Sequence, residues 1–233
     1  VTQKPPLVLL PGLLLDARLW RHQITALGAS ARISVGDTTR AETMVGIADR
    51  VLDEAPERFA LAGLSMGGYV ALEIMRRAPE RVSRLALLDT SARPDGDDRR
   101  QRREDLLRLA ARGRFQGVTP RLIPFYLHPD NLEDATITDS VMEMSQSLGR
   151  DVFLRQTRPI MARGDYRGRL AAIACPTLVL CGRVDQVTPP DHSIEMANAI
   201  PRADLVVLGH CGHLAPLERP EAVTAQLRAW LEM

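Results

Sequence analysis

Cysteine is scarce in this 233-residue chain, and the three present, Cys175, Cys181 and Cys211, stand six and thirty residues apart. That spacing matches neither a C-x-x-C redox pair nor a zinc ribbon, excludes a disulfide scaffold, and makes a reducing cytoplasm the expected setting. Charge of one sign is also lacking: 30 basic residues face 29 acidic ones, a formal net charge of +1. No global field therefore selects nucleic acid or an anionic membrane as partner. Lysine is almost missing, Lys4 being the one basic residue that is not arginine, which reads as compositional bias. No long apolar run exists either. Leu7 to Leu15 is nine residues broken by Pro11 and Gly12, too short to span a bilayer. There is no internal repeat and no low-complexity stretch.

What is present is an ordinary globular composition, 45% hydrophobic and 25% charged, enough to bury roughly 70 to 75% of the extended chain's surface without a metal or disulfide staple. Apolar runs expected to be strands buried on both faces occur at Leu7 to Leu10, Phe59 to Leu64, Leu85 to Leu88, Thr177 to Cys181 and Leu205 to Leu208, with a weaker one at Ile33 to Val35. Helical patterns lie between them. One is expected to start at Thr39, in a capping box with Glu42, and to stop before Pro56. The last begins near Pro220 and carries Val223, Leu227, Trp230 and Leu231 on one face.

Strands alternating with helices imply an α/β fold: a mostly parallel sheet of about six strands, covered on both faces. The alternation lapses over residues 93–169, where Ile137, Val141, Met144 and Leu148 form a helical stripe. The expected division is a core of residues 1–92 and 170–233, with residues 93–169 inserted as a helical cap (lid).

Gly63-Leu64-Ser65-Met66-Gly67 follows the strand Phe59 to Leu64 and precedes a helical pattern. A serine on so sharp a strand-to-helix turn takes a strained backbone and needs small neighbours two positions away on each side. The turn presents Oγ, puts the helix N-terminus beside it, and leaves the Met66 amide free to donate to a developing oxyanion. Serine needs a base held in one tautomer by a carboxylate. Asp185 follows the strand ending at Cys181, and His213 follows the strand ending at Leu208. They are the expected acid and base.

The order Ser65, Asp185, His213 and the strand ends that carry them resemble the α/β-hydrolase superfamily, in its small capped esterase and enol-lactonase-like group. The resemblance spans nearly the whole chain, with the cap matched loosely. It implies a second oxyanion donor, the backbone amide of Leu13, in Pro11-Gly12-Leu13, where such enzymes usually carry His-Gly and an apolar residue. It also implies that the usual first antiparallel hairpin is missing.

The expected activity is that of a serine hydrolase (carboxylesterase or lactonase type) acting on a small-molecule carboxylic ester or lactone, with no cofactor, no metal, and neither nucleic acid nor membrane as partner. A lyase or carbon-carbon hydrolase using the same side chains, and a non-catalytic small-molecule receptor, stand as alternatives. Asp89, at the end of another strand, is the rival acid. A zinc reading of His210, Cys211, His213 and Asp185 is the rival to the triad. His22, His128 and His192 are assigned no role, and Asp97 to Asp105 reads as a solvated helix face.

Overall fold

The computed structural model of the protein describes residues 4–233, so the first three positions of the expected core lie outside it. The chain runs through β1 (Pro6–Leu10), α1 (Arg21–Leu27), β2 (Arg32–Val35), α2 (Met44–Glu54), β3 (Phe59–Leu64), α3 (Met66–Arg77) and β4 (Val82–Leu88). It then passes through α4 (Asp97–Ala111), α5 (Ile123–Tyr126) and α6 (Ala135–Ala162). It closes with β5 (Thr177–Gly182), α7 (Pro190–Ala199), β6 (Ala203–Leu208), α8 (Ala215–Glu218) and α9 (Pro220–Glu232). The six strands form one sheet in the order β2-β1-β3-β4-β5-β6, and every pairing is parallel. Among the described residues no helix is long and apolar enough to cross a membrane.

The period of two along each strand divides the core into two layers. Val8, Leu10, Leu61, Leu85, Leu87 and Val179 pack with Ile47 and Val51 of α2, Val70 and Ile74 of α3 and Met196 of α7. Their neighbours Leu7, Leu9, Ala62, Leu64, Ala86, Leu88 and Leu180 pack with Trp20, Leu27 of α1, and Val223, Leu227 and Trp230 of α9. Trp20 is thus core packing.

Two expectations need correction. Strands β2 and β6 are not buried on both faces: they are the two edges of the sheet, where Arg32 and Ser34 are exposed and Leu205 is 39% exposed. Helix α2 starts at Met44, with the Thr43 hydroxyl accepting from the Gly46 amide. Thr39 is already held by Asp37, which accepts both its amide and its hydroxyl. Glu42 reaches instead to Arg158.

Between β4 and β5 the described elements are the helices α4, α5 and α6 and short helical turns. The Ile137 to Leu148 stripe lies on the first part of α6, which breaks at Gly149 (φ 76°). The charged run Asp97 to Asp105 forms the start of α4, where Arg100 pairs with Glu104 and Arg108 with Asp105.

A buried pair fixes this segment. Asp95 accepts from Arg163 at 2.9 Å and from Arg103 of α4 at 2.7 Å, and the Arg163 and Asp95 side chains are 1% and 2% exposed. Arg163 also lies over the Tyr69 ring at 4.1 Å. Burial pushes the Asp95 carboxyl up, but the Arg103 charge and the Arg163 hydrogen bond outweigh it and hold it below its ordinary 3.8. Because the folded value is depressed, this stabilisation is complete above that ordinary value and is lost as pH falls through the folded one. Asp95→Ala leaves Arg163 buried without its counter-ion, and the expected loss is about 3–5 kcal/mol, read from the urea midpoint at pH 7. The difference between variant and wild type should shrink on acidification below the ordinary value.

The topology also positions a crevice. From β1 the chain steps one way to β2, and from β3 it steps the other way to β4. The loops leaving the carboxyl ends of β1 and β3 therefore diverge, and such a switch point is where open α/β sheets bind ligands.

Candidate active site

Ser65 stands at that point. It joins β3 to α3 with φ 53° and ψ −114°, a left-handed conformation that is costly for a residue with a Cβ. Its amide donates to Leu88 O at 3.0 Å, and the Thr90 hydroxyl donates to its carbonyl at 2.7 Å. The flanking glycines are required sterically: a Cβ on Gly63 would lie 2.3 Å from Gly67 O, and one on Gly67 would lie 2.2 Å from Leu10 O. The spacing of the motif is thus a packing constraint around the turn.

The structure brings Ser65, His213 and Asp185 into one contiguous relay. Ser65 Oγ is 2.9 Å from His213 Nε2, and His213 Nδ1 is 2.8 Å from Asp185 Oδ2. An ionised carboxylate only accepts, so Nδ1 carries the proton and the Nε2 lone pair faces the hydroxyl. His213 and Asp185 are each 3% exposed. Asp185 is saturated with donors: the Val187 and Thr188 amides at 2.8 and 3.0 Å and the Thr188 hydroxyl at 2.8 Å. Burial raises its pKa, yet the His213 ring, through the charge it carries when protonated and its hydrogen bond, together with the Thr188 hydrogen bonds, prevails and holds the carboxyl below its usual value. It is therefore a fixed anion at neutral pH.

Asp89 does not reach the imidazole. Its two oxygens accept from the Gly182 amide at 2.8 Å and the Ala215 amide at 3.4 Å, joining the ends of β4 and β5 to the start of α8. Burial first, and the nearby Asp185 charge second, push its pKa well above the ordinary value. With its oxygens on these two amides and not on the ring, Asp89 has no contact through which to orient or stabilise the imidazole.

The oxyanion expectations rest on backbone amides. Met66 is the first residue of α3 and so has no intrahelical acceptor. Leu13 lies in the turn after β1, closed by the Leu15 amide on Gly12 O at 3.2 Å. The turn abuts the serine, since a Cβ on Gly12 would sit 3.4 Å from Ser65 Cβ. Neither amide donates to a protein acceptor among the described residues.

The zinc reading of His210, Cys211, His213 and Asp185 does not assemble. His210, at φ 51°, turns away to Asp130, 2.8 Å from its Nδ1. Cys211 is buried, and burial pushes its thiol far up. Cys181 is likewise pushed up to about 11, so neither is a nucleophile at neutral pH. The one donor group among the described residues placed to hold a metal ion is His128, Asp130 and His210, within 4.8 Å of one another and largely exposed. His128 also caps the turn Pro129–Asn131 by accepting from the Asp130 amide. His22 binds Thr224, and His192 lies near Asp191.

Sequence reasoning missed Glu218. It is 6% exposed, and Oε1 accepts the amides on both sides of the base, Gly212 at 2.9 Å and Leu214 at 3.1 Å. Oε2 accepts the His128 amide and the Asn131 side chain at 2.6 and 2.9 Å. The His213 amide itself donates to Tyr126 O at 2.7 Å. The loop bearing the base is therefore tied to the helical segment directly through the His213 amide and, at Gly212 and Leu214, through the bridging Glu218 carboxylate.

Residues 5–220 match the model of the alpha/beta hydrolase fold family. The chain is 26% identical over 255 residues to a pimeloyl-[acyl-carrier protein] methyl ester esterase of Vibrio campbellii, covering 97% of this chain and 94% of the relative. Its structure is similar to a thermophilic esterase from Thermogutta terrifontis, with TM-score 0.88 and 30% identity over 98% of this chain and 89% of that one. It is also similar to the enol-lactonase from Burkholderia xenovorans LB400, with TM-score 0.88 over 99% and 92% of the two chains. There the identity is 24%, and the likeness is one of fold.

Proposed function

The chain belongs to the alpha/beta hydrolase family, and from that premise we propose that it is a serine hydrolase cleaving a carboxylic ester or lactone through an acyl-enzyme on Ser65. The observation that carries this reading is the unbroken relay from Ser65 Oγ through His213 to the donor-saturated Asp185 carboxylate. Ser65 Oγ attacks the carbonyl carbon as its proton passes to His213 Nε2, and Asp185 stabilises the imidazolium. The Leu13 and Met66 amides receive the oxyanion. Collapse returns the carbonyl and expels the alkoxide, which takes the proton from His213. Water then gives a proton to the same nitrogen as its oxygen attacks the acyl carbon, and Ser65 is protonated again as the acid leaves. Residues 93–169 act as the cap over this site.

The relatives named as esterases support an ester as the bond cleaved. A panel of short and long acyl esters, with an enol-lactone included, tests the proposal. Stoichiometric acid and alcohol release by the wild type, lost in Ser65→Ala, is the expected result. Turnover that survives Ser65→Ala, or elimination products without water uptake, would overturn it in favour of a receptor or lyase.

A further inference from the structure

Gln156 takes no part in the relay, yet it is among the most completely satisfied side chains in the molecule. It lies on α6 beyond the Gly149 break and is fully buried. Its Oε1 accepts the Leu14 amide at 2.9 Å. Its Nε2 donates to Thr38 O at 3.2 Å and Thr38 Oγ1 at 3.1 Å. Leu14 N–H can only donate and Thr38 O can only accept, so the orientation of the amide follows from its partners.

The partner of Oε1 is what gives this contact meaning. Leu14 holds φ 55°, an unfavourable conformation for a γ-branched residue that persists only where its surroundings enforce it. The neighbouring residue is Leu13, whose amide is the second oxyanion donor on the reading above. The Leu14 N–H belongs to the peptide unit that follows Leu13, so a buried acceptor on it fixes that plane, and with it the turn from Gly12 to Leu15. The Leu14 side chain is clamped from the same direction, packing with Ala110, Val152 and Phe153 of the helical segment. The oxyanion turn therefore depends on a helix more than 140 positions away in the chain.

We propose that Gln156 is a positioning residue for the oxyanion hole: by holding the Leu14 amide, it keeps the Leu13 N–H aimed at the carbonyl oxygen above Ser65, and so makes acyl transfer depend on the seating of the cap helix. The inference rests on the serine-hydrolase reading and predicts a signature that loss of stability alone does not give. Hydrogen bonds to a thiocarbonyl sulfur are weaker than to oxygen, so a formed oxyanion hole favours an ester over its thionoester, and a misaimed one does so less.

The test compares 4-nitrophenyl acetate with its thionoacetate on wild type, Gln156→Met, Gln156→Asn and Gln156→Glu. In Gln156→Met, which has no comparable acceptor, kcat on the ester should fall by about 10- to 100-fold, less than the loss of a whole oxyanion donor. KM should change less than about two-fold, since the loss falls on the transition state. The preference for ester over thionoester should fall by about ten-fold, the same misaiming read on the two atoms. Gln156→Asn, one methylene shorter, withdraws the oxygen from Leu14 while keeping the site polar, and should give the same result should the methionine variant fail to fold. Gln156→Glu keeps an oxygen facing Leu14 and should retain the wild-type preference. A wild-type preference in both Gln156→Met and Gln156→Asn, or equal losses on both substrates, would overturn the inference. Failure of the underlying reading looks different: a wild type inactive on the ester, or one whose turnover survives Ser65→Ala.

Discussion

Ser65→Ala should lower ester turnover by about 10⁴-fold or more, on the scale of other triads, while leaving the fold nearly untouched. The rate falls because Oγ is the only atom of the relay that can form the acyl bond, and His213 then has no proton to take. The fold survives because alanine meets the same backbone demand as serine at φ 53°, and the contacts that fix the turn run through main-chain atoms, the Ser65 amide on Leu88 and the Ser65 carbonyl under Thr90. Ser65→Gly separates strain from chemistry. Glycine relieves a backbone cost of about 1–3 kcal/mol, offset by about 0.5–1 kcal/mol of added freedom in the unfolded chain. Its Tm should therefore rise by a few degrees in an equally inactive protein. Initial rates and differential scanning calorimetry on the two variants check both halves.

Asp185→Asn should cost about 10⁴-fold in kcat, as the equivalent change does in serine-protease triads, whereas Asp89→Asn should cost only a few-fold. Both carboxyls are buried and both end loops at the same sheet edge, so burial does not distinguish them. Their partners do. Asp185 Oδ2 receives the imidazole N–H, and an amide nitrogen there would turn the ring to the tautomer whose Nε2–H faces Ser65 and cannot accept its proton. Asp89 receives the Gly182 and Ala215 backbone amides and does not touch the imidazole, so an amide there leaves the relay intact. Steady-state kinetics on the two variants decide it, and the reverse ranking would move the acid role to Asp89.

The parts of the site legible in the sequence are those whose chemistry forces a local pattern. Gly63 and Gly67 betray Ser65 because the turn tolerates no Cβ on either side, and Asp185 and His213 each follow an apolar run by a few residues because the sheet presents them there. Gln156 and Glu218 leave no such trace. Each is a single polar residue in a helical stretch, and its partners, mostly backbone groups that any residue supplies, with the Thr38 hydroxyl and the Asn131 side chain beside them, are set opposite it only by the tertiary fold.

The same limit explains the misread elements. Leu205 to Leu208 has the composition of a central strand, and only the order of the sheet makes it an edge. Thr39 and Thr43 are equally good helix caps in isolation, and Asp37 decides between them by occupying the first.

The most direct test is intact-protein and peptide mass spectrometry after treatment with a fluorophosphonate, which requires a serine oxygen activated by a neighbouring base. One adduct per chain is expected, located on Ser65, greatly slowed in His213→Ala and lost in Ser65→Ala. An unlabelled wild type, or a label on any other residue that persists in Ser65→Ala, would contradict the proposed relay.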